Sequence, residues 1–255
     1  RGDETRQMLI DFGFTPQTLN GNLALLGVDP AGLDALLLSH GHYDHFGGLV
    51  GFLETHGAKL KPELPLYLGG EECFCTREAG IGENAGSFGA LDREAIRKAG
   101  LKILFAEQPS VVAGHAFTTG RIPAETFERV LAPSRMRVGV SGGLGCAPES
   151  MPQAKREATG FVPDDFEHEQ ATAFVVRDKG LVVLTSCGHR GVVNSVRTAQ
   201  KVSGEQKVHA VLGGFHLAPH KPDYLKQTAE ALAELSPDWL IPMHCSGEPF
   251  IAVAQ

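Results

Sequence analysis

The chain has 255 residues, 42% of them apolar, and 23 basic against 30 acidic side chains leave a net charge of −7 with histidine neutral. That length and apolar fraction suit a globular chain with a sizeable core, read here as one domain over 1–255. The acidic balance argues against a nucleic-acid footprint, and no apolar run reaches the roughly 18 residues of a membrane span.

In chain order, Met8 to Asp11 reads as a short strand ending in Asp11-Phe12-Gly13. Thr15 followed by Pro16 marks a helix start, and that helix runs to about Leu26, where Gly27 stops it. Asp34 to Ser39 is an apolar strand and Leu49 to Thr55 a helix. Pro65 to Leu68 and Leu101 to Phe105 are further strands, with a helix over Asp92 to Ala99 between them. Residues 132–165, rich in Gly, Pro and Ser, are the least regular stretch and are read as a lid on the substrate side. Ala171 to Arg177 and Leu181 to Thr185 form a hairpin through Asp178-Lys179-Gly180. A helix over Val192 to Val202, a strand over Lys207 to Leu212, a helix over Asp223 to Leu235 and a strand over Trp239 to Pro242 complete the series. Strands and helices alternate, but the hairpin fits poorly with a purely parallel sheet; two sheets between helices fit better.

Five cysteines, at 73, 75, 146, 187 and 245, leave at least one outside any intrachain bridge, and no disulfide framework is read from them. Cys73 and Cys75 stand too close for the usual zinc spacing. The chain starts at Arg1 without a signal-peptide pattern, so something upstream is expected to have been removed or left out. The compartment stays open: cytoplasm, or periplasm if a leader was removed.

The chemistry concentrates in Ser39-His40-Gly41-His42-Tyr43-Asp44-His45-Phe46-Gly47-Gly48, where three imidazoles and a carboxylate fall within six residues behind a buried strand. Residues i and i+2 leaving a strand point the same way, so His40 and His42 can share one cation. Asp44 and His45 follow where a helix can begin and can turn towards a second ion. Imidazole and carboxylate suit zinc, and also iron or manganese. Gly47-Gly48 behind them marks a place where backbone must approach closely. Such a cluster at the end of a buried strand is costly without a cation.

Further ligands are expected at strand ends. His189 lies in Leu184-Thr185-Ser186-Cys187-Gly188-His189-Arg190-Gly191 and His244 in Met243-His244-Cys245, each just after an apolar strand. His216, in Gly213-Gly214-Phe215-His216-Leu217, follows a third strand as a ligand, a general acid or a substrate contact. His56, His115, His209 and His220 stand outside any ligand-type motif and strand-end placement and read as structural or surface residues.

His-x-His-x-Asp-His resembles the signature of the metallo-β-lactamase superfamily at every position. With the segments around Cys187 to Gly191, Gly213 to Leu217 and Met243 to Gly247, and with Thr119-Gly120-Arg121-Ile122-Pro123, nearly the whole chain resembles the branch of dihydropterin-ribofuranosylaminobenzene-phosphate synthase-like metal-dependent hydrolases. The resemblance implies an α/β chain folded as an αββα four-layer sandwich. It normally places about two more strands ahead of the segment matching Met8 to Gly13, where only seven residues stand here. It implies a metal set of His40, His42, Asp44, His45, His189 and His244 holding one or two zinc ions. It also implies that Asp11 orients the site by hydrogen bonding.

Some branches carry a ligand where His168 stands, and Cys187 or His189 occupies the place of the usual bridging Asp, for which no Asp has an obvious claim. The leading expectation is a hydrolase in which a metal-activated water attacks an ester, lactone, amide or phosphoester. Asp44 then orients the water, and His216 or Arg190 stabilises developing negative charge or holds an anionic group. A pterin-linked group transfer or condensation, and a non-catalytic metal- or ligand-binding module, are the rivals. A redox di-iron role is disfavoured because the carboxylate-rich ligand set is absent. The partner expected is a small, anionic molecule, with neither nucleic acid nor membrane.

Overall fold

The structure is a computed structural model and describes residues 3–80, 86–131, 134–158 and 160–255. It divides into two compact units, one formed by Arg1–Glu107 with Pro133–His168 and the other by Gln108–Ala132 with Glu169–Gln255.

The first unit contains a four-stranded parallel sheet in the order Gln7–Ile10, Leu33–Leu38, Pro65–Leu68, Lys102–Phe105. Parallel strands need crossovers, and the helices Pro16–Leu25, Leu49–His56 and Arg93–Lys98 provide them. Thr15 caps the first by accepting from the Thr18 amide at 3.2 Å, and Asp92 caps the third by accepting from Ala95 at 2.9 Å. The strand Leu33–Leu38 is almost wholly buried, as a strand covered on both faces must be, and packs with Phe12, Phe52 and Phe74.

A second, antiparallel sheet follows the order Val162–Pro163, Ser134–Arg137, Thr76–Ala79, Gly86–Gly89. Two of its strands come from the stretch expected to be irregular. That stretch also forms a hairpin, Gly139–Ser141 with Leu144–Cys146, whose turn residues Gly142 and Gly143 both take left-handed backbone at φ 60° and 84°. The glycines that read as loop composition are the requirement of a tight two-residue turn. The expectation of irregular chain over 132–165 is therefore corrected for its described residues. A disulfide between Cys75 and Cys146 ties the hairpin to the second sheet, a bridge the sequence reading did not anticipate.

Beneath this sheet the Arg77 guanidinium, fully buried, donates to the equally buried Asp164 carboxylate at 2.5 Å. Burial pushes Asp164 up, but Arg77 and His168 outweigh it and bring it from 3.8 to about 2. Burial likewise raises Glu72, and His168 with Lys155 reverses that, from 4.5 to about 2.

The second unit is one six-stranded sheet in the order Trp239–Met243, Val208–Gly214, Gly180–Thr185, Thr172–Val176, Ala116–Thr118, Ser110–Val112. The first three strands run parallel, crossed over by the helices Val192–Ser203 and Pro222–Glu234; the remainder are antiparallel. Thr172–Val176 and Gly180–Thr185 form the expected hairpin, with Asp178 at φ 62° in its turn. The buried Glu128 carboxylate caps the helix Val192–Ser203 by accepting from the Val193 and Asn194 amides at 3.0 and 2.8 Å, where the helix dipole favours an anion. Among the described residues no helix is long and apolar enough to cross a membrane.

Replacing Arg77 with Met is expected to cost about 3–5 kcal/mol by stranding the Asp164 charge, read by chemical denaturation. Folding lowers the pKa of both Asp164 and Glu72, so their stabilisation is complete above pH 4.5 and is lost as pH falls towards 2. In an acid titration R77M should lose the Asp164 share of that dependence while the Glu72 share persists.

Candidate metal-binding residues

Each unit carries its own set of donor side chains, and in each they stand at the carboxyl ends of parallel strands, where open α/β sheets place their ligands. In the first unit, Asp11 follows the strand Gln7–Ile10, and His40 and His42 follow its neighbour Leu33–Leu38. Asp11 holds left-handed backbone at φ 59°, a conformation Asp tolerates better than most residues. That turn aims its carboxylate across the sheet edge. Oδ1 accepts from the Ser39 amide at 2.8 Å, and Oδ2 accepts from the Ser39 hydroxyl at 2.8 Å and from His45 Nδ1 at 2.7 Å.

These bonds set the imidazole tautomers. An ionised carboxylate only accepts, so Ser39 Oγ spends its proton on Asp11 and must accept from His40 Nδ1, 2.9 Å away. The His40 lone pair is thereby placed on Nε2. His45, with Nδ1–H on Asp11, turns Nε2 towards an Asp44 oxygen 3.5 Å away, so both ring nitrogens face carboxylates and a cation taken up there would displace the Nε2 proton. His42 Nε2 lies 3.1 Å from the Ser134 hydroxyl, a bond that leaves Nδ1 as its other donor atom. The His40 ring centroid is 4.9 Å from that of His42 and 4.2 Å from that of His45. Burial, then Arg77, lowers His42 to about 3, whereas for His45 the Asp11 carboxylate overrides burial and raises it to about 10.

The glycines of the motif are sterically required. A Cβ on Gly41 would collide with the Arg77 guanidinium, and one on Gly48 with the Phe12 carbonyl oxygen. His168, whose role the sequence left open, is placed by its contacts. It is buried, its Nε2 faces the Gly41 amide and Arg77 Nη2, both at 3.1 Å, and its Nδ1 faces Glu72 at 3.5 Å. Both ring nitrogens are committed to holding the His40–His42 loop against Arg77, so His168 acts as a brace and drops out as a candidate ligand.

In the second unit, His189, His216 and His244 follow three adjacent parallel strands, Gly180–Thr185, Val208–Gly214 and Trp239–Met243. The His189 and His216 ring centroids are 4.0 Å apart, and their nitrogens lie within 4.8 Å of each other and of Cys187 Sγ. Cys187, His244 and Cys245 form a second such group. His216 and His244 both hold left-handed backbone, at φ 45° and 50°, a strain of about 1–3 kcal/mol each that concentrates at functional positions. His216 Nε2 donates to the Leu131 carbonyl at 3.0 Å, which turns Nδ1, without a hydrogen-bond partner among the described residues, into an acceptor. The Cys245 thiol is held down at about 5, chiefly by its hydrogen bond with Cys187 and, against burial, by His216 and His244.

Glu169 serves this unit as Asp11 serves the first. Its buried carboxylate accepts from the His189 amide at 2.9 Å and the Arg190 amide at 2.7 Å, fixing the loop that carries His189. Burial raises it to about 7 even though those two amides draw it down. Arg190 is tied further by Nε donating to the Ile122 carbonyl at 3.0 Å. Sequence reasoning missed Glu169, Ser39, Arg77 and Cys245. Ser39 and Cys245 had a signal in their adjacency to histidines already singled out, whereas Arg77 had none.

The donor set fits a divalent transition cation: imidazole nitrogens with assigned lone pairs, one carboxylate, and thiols within reach of histidine.

Comparison with known proteins agrees with this chemistry. Residues 1–68 match the model of the Metallo-beta-lactamase superfamily. A protein of Methanocaldococcus jannaschii named 7,8-dihydropterin-6-methyl-4-(beta-D-ribofuranosyl)-aminobenzene-5'-phosphate synthase is 29% identical over 245 residues, covering 95% of this chain and 76% of the relative. An uncharacterized protein of the same organism is 28% identical over 95% of this chain and 80% of its own length. The crystal structure of Tm1679, a metal-dependent hydrolase of the beta-lactamase superfamily, superposes with a TM-score of 0.74 at 24% identity, covering 96% of this chain and 80% of that one.

Replacing Asp11 with Asn keeps the shape but supplies an NH₂ where His45 needs an acceptor. Zinc affinity, measured by competition with a chelator, is expected to fall about 10–100-fold, the usual cost of losing a group that orients metal ligands. The chain has the metallo-β-lactamase fold and resembles that superfamily in its branch of pterin-related synthase-like, metal-dependent hydrolases.

Proposed function

We propose that this chain is a metal-dependent hydrolase of a small anionic substrate, an ester, lactone, amide or phosphoester, with His40, His42, Asp44, His45, His189 and His244 as metal ligands. The observation that carries the reading is the Asp11–Ser39–His40 relay with its branch to His45, which sets the tautomer of His40 and anchors the His45 ring ahead of any ligand. Hydrogen-bond networks of this form are what orient histidines that bind metals. Zinc, when bound, supplies Lewis acidity and a water acidified towards neutral pH. Iron and manganese satisfy the nitrogen and oxygen donors as well.

The chain's own residues do the remainder. Asp44, half-exposed beside His45, accepts a hydrogen bond from the attacking water and holds its proton at Oδ. His216 takes or returns a proton at Nδ1, since Nε2–H is occupied by Leu131. Glu169 keeps His189 in place, and the burial of His40, His42 and His45 excludes bulk water.

A His42→Ala variant is expected to lose both bound zinc, read by elemental analysis, and hydrolysis across an ester, lactone and phosphoester panel. Unchanged metal content in that variant would sink the proposal.

The name of the Methanocaldococcus jannaschii relative favours a second reading, a pterin-linked group transfer or condensation with formation of a new carbon–nitrogen bond. Incubating the zinc-loaded protein with a pterin phosphate donor and an aminobenzene-type amine as acceptor, with product mass as the readout for the new carbon–nitrogen bond, separates the two. Coupled product without hydrolysis of the panel selects the transfer reaction, and hydrolysis without coupling selects the first. Full metal occupancy with neither would leave a binding module.

A further inference from the structure

The second unit contains two thiols that the proposed reaction does not use. Cys187 and Cys245 follow the strands Gly180–Thr185 and Trp239–Met243, which are not neighbours, because Val208–Gly214 runs between them. Strands two places apart in a sheet are about 10 Å from one another, so side chains at their ends do not ordinarily meet. Here they do, and the Sγ atoms are 3.4 Å apart.

The middle strand makes the meeting possible by ending in glycine. A Cβ on Gly214 would stand 2.9 Å from Cys245 Sγ and collide with the Ser186 carbonyl oxygen. Two further contacts hold Cys245 over that gap: the His216 amide donates to its Sγ at 3.3 Å, and its thiol reaches the Cys187 carbonyl at 3.6 Å. Cys187 is buried and Cys245 half-buried, so one sulfur is open to attack from solvent and the other waits behind it. Cys73, the remaining cysteine outside the bridge, is buried in the other unit and has no such neighbour among the contacts described.

Both sulfurs are tied to the candidate ligands. Cys187 precedes His189 by two residues and Cys245 directly follows His244. The sulfurs of both and a nitrogen of His244 lie mutually within 4.8 Å. A disulfide bond is about 2 Å long, so closing it draws the sulfurs together by more than an ångström and carries both histidine loops with them.

We propose that Cys187 and Cys245 form a reversible disulfide when His189 and His244 hold no metal, and that closing it prevents metal uptake. The role given to the histidines rests on the ligand set of the proposed function; the sulfur chemistry does not. The oxidant is a low-molecular-weight disulfide of the glutathione type. The Cys245 thiolate attacks one of its sulfurs, forming a mixed disulfide and releasing one glutathione thiolate. The Cys187 thiolate then attacks Cys245 Sγ and releases the second. Two protein thiols and one small disulfide become one protein disulfide and two small thiols, with the two protons passing to the released glutathione. With His189 and His244 engaged by a cation, their loops would be held where they stand here, with the sulfurs 3.4 Å apart and short of the bond that closure requires.

The experiment compares reduced, chelator-treated protein with zinc-loaded protein, each incubated with glutathione disulfide. The readouts are peptide mapping without reduction and zinc content by elemental analysis. The expected result is a cross-linked peptide pair joining Cys187 to Cys245 in the metal-depleted protein, with formation about tenfold or more slower when zinc is bound. The oxidised protein should take up at least about tenfold less zinc and recover uptake after dithiothreitol. C187S should stop at a glutathione adduct on Cys245, C245S should form no cross-link, and C73S should behave as the parent chain.

The proposal is overturned if both thiols stay alkylatable, if the cross-link forms equally fast with and without zinc, or if the cross-linked protein still takes up zinc. A reduced chain that binds no zinc overturns the metal-centre reading and the gating with it. The peptide map would still decide whether the two sulfurs join.

Discussion

The Asp11 carboxylate is the constraint from which the first unit's donor set follows. It is an acceptor with no proton to give, and it receives three hydrogen bonds, from the Ser39 amide, the Ser39 hydroxyl and His45. Because it cannot donate, each partner must, and the direction of every bond beyond it is determined. Ser39 becomes an acceptor for His40, whose lone pair is assigned to Nε2 before any cation arrives, and His45 is anchored through Nδ1. The cost lies in the backbone: Asp11 sits at φ 59°, and the Gly47–Gly48 step gives way so that the Phe12 and Phe14 carbonyls can approach. The fold maintains this strain through the buried Leu33–Leu38 strand, which the Asp11 amide joins by donating to Leu37 at 2.9 Å.

The second unit repeats the principle with different residues. Glu169 is a buried acceptor that clamps the backbone of His189 and Arg190, and Glu128 does the same for the helix that follows. In each case the carboxylate holds a loop at the carboxyl end of a parallel strand. Loops at such edges lack ladder partners, so a side chain that satisfies their amides converts mobile backbone into a fixed support for a functional group. Arg77 and His168 play the corresponding part behind His40 and His42, where a buried guanidinium neutralised by Asp164 braces Gly41.

These supports distinguish a donor set that is preorganised from one that is merely rich in histidine. They also leave two chemistries within the reach of the same residues. Hydrolysis and pterin-linked transfer both need an acidified water or an activated electrophile beside a carboxylate, and a shared fold hosts many reactions. In the second unit imidazole and sulfur stand together at the ends of neighbouring strands, the two donor types that metals and oxidants both draw on.

Local signals carried much of this in advance. The helix start at Thr15-Pro16, the strand before His40, the hairpin through Asp178 and the strand-end positions of His189, His216 and His244 are all legible, because caps, turns and apolar periodicity act over a few residues. The strain at His216 and His244 and the identity of their neighbours are not, since they depend on which strands lie side by side. Composition misled over 132–165, where glycines that build a tight hairpin turn resemble those of an unstructured loop. By itself, then, the sequence determined the candidate metal-binding motif, the order of elements and the strand ends that bear its histidines. Only the tertiary structure set His168 behind Gly41, gave Asp11 and Glu169 their clamps, joined Cys75 to Cys146 and set Cys187 against Cys245. Each of those outcomes turns on register between residues tens of positions apart, and no local pattern encodes such a register.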